Sequence, residues 1–211
     1  MRISHRHRFI FFSFPKTASS TLRHFIDPFS DVRPVRRYAD VSEDNPFHPH
    51  MRPEEAREWF ERFGWEFARY TRFTCIRNPW ARLVSLYHHI GRSESPPPFG
   101  DWIRSLTADD AAEERLWLRY GRWPFERFIR DRDGNVLVDK VLRTEDIDET
   151  LIPYLRRIGV PIAGGRVLPR RNHSGAGSGY RTFYDPRTAA LVRELFAYEV
   201  EHFGYSFGDD A

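Results

Sequence analysis

The chain has 211 residues, 40% of them hydrophobic and 30% charged, which places it among ordinary globular proteins with room for one sizeable core. The net charge is only +3, and a single cysteine, Cys75, excludes an internal disulfide framework and a cysteine metal cage. No stretch is long and apolar enough to span a bilayer. The basic opening MRISHRHR leads into a short apolar run with no small-residue cleavage site behind it, so a cytoplasmic protein is expected.

The cations are almost all arginine, Lys16 and Lys140 being the two lysines. Guanidinium groups suit planar anion recognition, and a GC-rich genome produces the same bias. The sequence pI is about 9.2, but arginines alternate with acids instead of clustering, which argues against a nucleic-acid partner.

In chain order, RFIFFSF (8–14) is aromatic, branched and stopped by Pro15, the pattern of a buried strand. Residues 17–27 carry Leu22, Phe25 and Ile26 at helical spacing, and 28–50 read as an irregular loop rich in Pro, Asp and His. Pro53, two early glutamates and Gly64 delimit a helix over 53–63. A second apolar strand, YTRFTCI (70–76), leads to a helix that starts at Pro79 with Asn78 as cap and ends at Gly91. Residues 99–130 read as short helices, DRDG as a turn and NVLVDKVLR as a third strand region. DRDGN resembles the opening of a calcium loop, but no glutamate follows at the needed spacing, and no metal is expected. A helix ending at Gly159, a loop over 160–181 and one long final helix capped by Asp185 complete the chain. Alternating strands and helices predict one α/β domain over residues 1–211, a parallel sheet flanked by helices of the nucleotide-binding type.

FPKTASSTL places a lysine and several hydroxyl residues where a strand turns into a helix. Backbone N–H groups and the helix dipole converge on such a point, and anions bind there. The strict triphosphatase pattern is absent, since its first glycine and the glycine before the lysine are both missing. FTCIRNPWARLVSLY (73–87) repeats the strand-to-helix layout, with Arg77 at the strand end and Ser85 in the helix. Two anion sites at neighbouring strand ends suit a nucleotide with phosphates on two sides. Arg82 and Arg92 are further phosphate candidates or simply solvated helix arginines.

Together these stretches resemble sulfotransferases that use 3′-phosphoadenosine 5′-phosphosulfate (PAPS), in their carbohydrate-type branch. FPKTASSTL is similar to the 5′-phosphosulfate loop, RNPWARLVSLY to the 3′-phosphate motif, and FYDPRTAALVRELFAYEVEHFGYSF to the closing helix. The resemblance touches residues 9–26, 48–91, 136–159 and 168–207. It implies that Lys16 holds the phosphosulfate and stabilises charge on the bridging oxygen. It further implies that Thr17, Ala18, Ser19, Ser20 and Thr21 cradle the 5′ phosphate, that Arg77 and Ser85 bind the 3′ phosphate, and that Arg170, Arg171 and Asn172 close over the donor. Ser19 stands where the family usually has glycine.

Moving a sulfuryl group to a hydroxyl requires a base near neutrality. His50 matches the branch's H-x-x-x-E element best and is the expected base, with His48 next and Glu54 or Glu55 as orienting groups or as complements to a helix N-terminus. His5 and His7 are assigned to a ragged N-terminus. Trp59 and Trp80 read as core. Trp102, Trp117 and Trp123 fall where an acceptor groove would lie, though most aromatics serve the core. The expected activity is sulfuryl transfer from PAPS to a hydroxyl, on a saccharide or glycoconjugate acceptor. The alternatives are a non-catalytic nucleotide-binding module and a small-molecule kinase on a similar loop.

Overall fold

The structure, a computed structural model, describes residues 1–92, 95–107, 120–169 and 178–209. Its chain divides into two compact units, residues 1–76 with 128–172 and residues 77–127 with 173–211.

The first unit holds a four-stranded sheet in the order β1-β2-β3-β4, formed by β1 (Arg2–Ser4), β2 (Phe9–Phe12), β3 (Thr71–Ile76) and β4 (Lys140–Arg143). The central pairs β2–β3 and β3–β4 are parallel, as expected, while β1 runs antiparallel to β2 with Ile3 opposite Ile10. The reading of a ragged N-terminus is therefore corrected. Residues 5–8 form a hairpin turn with Arg8 in the left-handed region (φ 50°). His5 Nδ1 lies 2.6 Å from Tyr70 Oη, and the His5 ring packs edge-on against Trp65. The segment's polar letters hid this strand, although Met1, Ile3 and Ser4 are fully buried in it.

Helices cover both faces. On one, α1 (Ser19–Ile26) and the later helix Ile147–Arg157 pack Leu22, Phe25, Leu151 and Leu155 against Phe9, Phe11, Phe73 and Cys75 of the strands. On the other, Phe12 meets Phe67, which meets Phe60 of α2 (Pro53–Arg62). Arg72 of β3 fixes the β4 register: its Nε donates to Asp139 at 2.9 Å, and its carbonyl accepts Asp139 N–H at 2.7 Å. DRDG is the expected turn. Asp131 is buried and accepts the N–H groups of Asp133 and Asn135, while Gly134 supplies a φ of 84°.

The second unit is built on α3 (Pro79–Ile90), with α4 (Phe99–Ser105) and the C-terminal segment around it. Asn78 caps α3 as its sequence position predicts, accepting the N–H groups of Trp80 and Ala81. Further helices follow at α5 (Phe125–Ile129) and, in the first unit, α6 (Ile147–Arg157). The expected single final helix is instead two, α7 (Pro186–Leu195) and α8 (Ala197–Phe203). Phe196 leaves helical geometry (φ −119°, ψ 38°) and is 1% exposed, with the Arg82 guanidinium 4.9 Å over its ring. Burying that ring outweighs continuing the helix. Among the described residues, no helix is long and apolar enough to cross a membrane.

Candidate functional site

β2 delivers the chain to the loop Phe14–Ala18 and then to α1. Two residues of this loop, Lys16 (φ 68°) and Ala18 (φ 53°), occupy the left-handed region without being glycine. Such conformations cost an L-residue about 1–2 kcal/mol each and persist where the surroundings over-determine them, commonly at functional sites. Left-handed residues next to ordinary ones turn successive N–H groups toward one side, the geometry of an anion nest. Ser19 lies inside α1, outside the left-handed region, so serine replaces the family's glycine there without backbone strain. The strain falls one residue earlier, on Ala18.

The hydroxyls behave differently from expectation. Thr17 Oγ1 donates to the Phe14 carbonyl at 2.9 Å, and Ser19 Oγ donates to the same oxygen at 2.6 Å. Both side chains are buried and brace the loop from inside, while Ser20 points outward and Thr21 is buried. The helical ladder begins with Leu22 N–H to Ala18 O (3.1 Å), so the amides of Ser19 and Ser20 sit ahead of it at the positive end of α1. No side chain caps that end. The loop thus offers an anion backbone amides, with Lys16 half-exposed beside them. A 5′-phosphosulfate fits this donor set.

The loop preceding α2 reaches the same place. His50 Nδ1 lies 2.8 Å from the carbonyl of Ser13, the residue that follows β2 and leads into the loop Phe14–Ala18. A carbonyl only accepts, so Nδ1 carries the proton and Nε2 is left as the basic nitrogen. Burial, with lesser contributions from the N-terminal amine, Arg23 and His48, pushes the imidazole pKa down to about 3 against the opposing pull of the Ser13 carbonyl. His50 is therefore neutral throughout the physiological range. His48 is buried, with Nε2 3.5 Å from a Glu55 carboxylate oxygen and its ring 4.5 Å from that of Tyr38.

The two glutamates divide the roles expected of either. Glu55 faces His48, whereas Glu54 accepts Arg132 N–H at 2.9 Å and lies 3.2 Å from Arg52, tying α2 to the turn at 131–134. Those bonds hold the Glu54 carboxyl below the usual carboxylate range, the Arg132 amide contributing most. Sequence reasoning passed over Ser13 and Tyr38. A backbone carbonyl carries no residue-type signal, and a tyrosine in an irregular loop carries little.

In the second unit, Arg77 is half-buried between β3 and the α3 cap, and Ser85 is 9% exposed on α3. Arg82 fits neither role weighed for it. It is 1% exposed, and its guanidinium donates to the carbonyls of Tyr120 (3.2 Å) and Gly121 (3.5 Å) above Phe196. Arg92 is exposed. Trp80 and Trp102 are fully buried, so Trp102 belongs to the core and not to a groove; Trp59 and Trp123 are half-buried. Arg170, Arg171, Asn172 and Trp117 lie outside the described residues. Among the described residues, no three His, Cys, Asp or Glu side chains cluster in a way that could hold a metal ion.

The model of the Sulfotransferase family matches residues 1–156, about three quarters of the sequence, and the chain belongs to that family. Its chemistry is sulfuryl transfer. The crystal structure of a sulfotransferase from Alicyclobacillus acidocaldarius is similar at 15% sequence identity, covering 90% of this chain and 96% of that one with a TM-score of 0.44. No curated protein matched the chain.

Proposed function

We propose that this sulfotransferase takes its sulfuryl group from PAPS and delivers it to a hydroxyl of a saccharide or glycoconjugate. The observation that carries the donor assignment is the loop Phe14–Ala18, whose two left-handed residues, uncapped α1 amides and adjacent lysine form an anion cradle in a chain of this family. When bound, PAPS supplies an activated sulfuryl group on a phosphate leaving group.

In this reading the amides of residues 17–21 hold the 5′ phosphate, and the Lys16 ammonium stabilises negative charge growing on the leaving oxygen. Arg77 and Ser85 are assigned to the 3′ phosphate, and Arg170, Arg171 and Asn172 to closure over the donor. His50 accepts the acceptor's hydroxyl proton at Nε2, its Nδ1–H fixed on Ser13 O. A base with a pKa near 3 is weak, yet it is never lost to protonation at neutral pH. Negative charge held beside Ser13 would favour the imidazolium and raise basicity where it is needed. His48, oriented by Glu55, is the second candidate for the base.

The test is calorimetric binding of adenosine 3′,5′-bisphosphate, with ATP and AMP as controls. Binding that requires the 3′ phosphate, weakened in Arg77→Ala and in Lys16→Ala, is the expected result. Lys16→Ala should also reduce transfer by at least about a hundredfold, the scale of losing one charged transition-state contact. Equal binding of ATP, or none of the bisphosphate, rejects the donor. Binding without turnover in the presence of saccharide acceptors would favour the non-catalytic module.

A further inference from the structure

Behind the anion cradle, the chain buries part of a cation without giving it an acceptor. Arg23 belongs to α1, one turn beyond Ser19 and Ser20, whose amides open the cradle. Side chains on a helix lean toward its N-terminus, so Arg23 extends back over that turn. Its Nη1 is buried and has no hydrogen-bond partner among the described residues. Asp27, one turn further on, is bonded to Arg2 Nε instead. Glu55 faces His48 and Glu54 is tied to Arg132, so neither early acid of α2 is bonded to Arg23. Burial, followed by the Arg2 charge, lowers the Arg23 pKa to about 10 against the pull of Asp27, which leaves the guanidinium charged at neutral pH.

A second orphaned donor lies at the base. Ser13 is fully buried, and its Oγ has no partner among the described residues, although its carbonyl holds His50 Nδ1. The Arg23 charge is felt at the same ring. After burial and the N-terminal amine, it is the next influence that opposes protonation of His50, ahead of His48. Arg23 therefore reaches both the turn that opens the cradle and the surroundings of the base. Buried donors without acceptors are uncommon in folded proteins, and a water or a ligand commonly completes them. A buried water satisfies one N–H but leaves the guanidinium charge uncompensated, whereas an oxyanion does both.

We propose that Arg23 recognises the sulfuryl end of the donor, its guanidinium meeting sulfuryl oxygens while the α1 amides hold the 5′ phosphate. This rests on the reading of PAPS as donor and names the residue that tells the loaded donor from the spent one. In PAPS the sulfuryl group is joined to the 5′ phosphate, and its sulfur is the atom that the acceptor oxygen attacks. A cation that reaches both cradle and base is placed to face that group. Adenosine 3′,5′-bisphosphate lacks it, so the Arg23 contact is lost on transfer and the spent donor is held less tightly.

The experiment is calorimetric titration of PAPS and, separately, of adenosine 3′,5′-bisphosphate into the full chain without acceptor. Arg23→Gln should weaken PAPS about ten- to hundredfold, the loss of one buried charge-assisted contact, while bisphosphate affinity stays within about threefold of wild type. Arg23→Lys keeps the charge but not the planar fork and should fall in between. Retained bisphosphate binding also shows that the cradle survives in each variant. Equal losses for the two nucleotides, or PAPS affinity untouched by Arg23→Gln, overturns the role and leaves a water as the partner of Nη1. If circular dichroism shows Arg23→Gln unfolded, Arg23→Lys decides: a several-fold loss confined to PAPS supports the role, and an unchanged ratio of affinities overturns it. Failure of the wild-type protein to bind either nucleotide rejects the PAPS reading itself, a result that is seen before any Arg23 variant is made.

Discussion

Ala18 bears a backbone conformation that suits glycine, and it does so at the entrance to α1, the helix on which the proposed anion cradle depends. Replacing it by glycine removes about 1–2 kcal/mol of left-handed strain and costs about 0.4–1 kcal/mol in unfolded-chain entropy. Ala18→Gly should therefore stabilise the protein by up to about 1.5 kcal/mol, read as a higher urea midpoint at unchanged slope. Ala18→Val should move the midpoint the other way, because a branched side chain tolerates that region least. His50 makes a second residue-scale prediction. Its folded pKa, about 3, lies below the unfolded value near 6.5, so the unfolded chain binds the proton first as pH falls. The stability that neutral His50 contributes is complete above pH 6.5 and is lost as pH falls toward 3. His50→Asn keeps an N–H for the Ser13 carbonyl but does not titrate. Denaturant unfolding of the variant should lose up to about 1.4 kcal/mol per pH unit of acid dependence across that window. An unchanged acid limb would show that His50 is not buried as neutral imidazole.

Among the elements, α3 is anchored from inside by an arginine. Arg82 is buried beneath the carbonyls of residues 120 and 121, with Phe196 against its guanidinium, and burial lowers its pKa to about 10 while Glu199 pulls the other way. Glu199 is itself buried, accepts Phe125 N–H at 2.7 Å and is raised above its ordinary pKa by burial, with Arg82 opposing. Its raised pKa favours the fold below pH 4.5 and weakens it as pH rises through the folded value. Arg82→Met strips two carbonyls and one carboxylate of their cation and should cost about 3 kcal/mol or more. Adding Glu199→Gln should recover part of that loss, a non-additivity that a double-mutant cycle by chemical unfolding measures. Additive losses would mean that the two side chains are not coupled. The interrupted C-terminal helix has the same cause, since Phe196 turns inward to close over Arg82. The Asp185 cap, by contrast, was readable from Asp-Pro at the helix start, and the structure adds Thr188 as its reciprocal partner in a capping box.

At the scale of the whole molecule, the core of the first unit is assembled from distant parts of the chain. Phe9, Phe11, Phe73 and Cys75 come from β2 and β3, while Leu142, Leu151, Tyr154 and Leu155 come from β4 and α6. A chain cut after Asn135 would lack β4 and α6, leaving β3 unpaired on one side and its aromatic face uncovered. Such a fragment should show no cooperative unfolding and should bind hydrophobic dye, whereas native-like near-UV dichroism would refute this account of the core. The sequence by itself determined the strand-loop-helix units at 9–26 and 71–90, the Asn78 cap of the second and the sulfotransferase family, because proline, capping residues and apolar spacing act locally. It also singled out Lys16, Arg77 and the histidine loop. Only the tertiary structure decided that β1 joins the sheet, that Thr17 and Ser19 spend their hydroxyls on Phe14, that Glu55 and not Glu54 faces His48, and that Arg82 is buried. Each of those outcomes depends on which backbone carbonyl, carboxylate or ring comes within about 3–5 Å across the fold, and residue type and spacing carry no record of that.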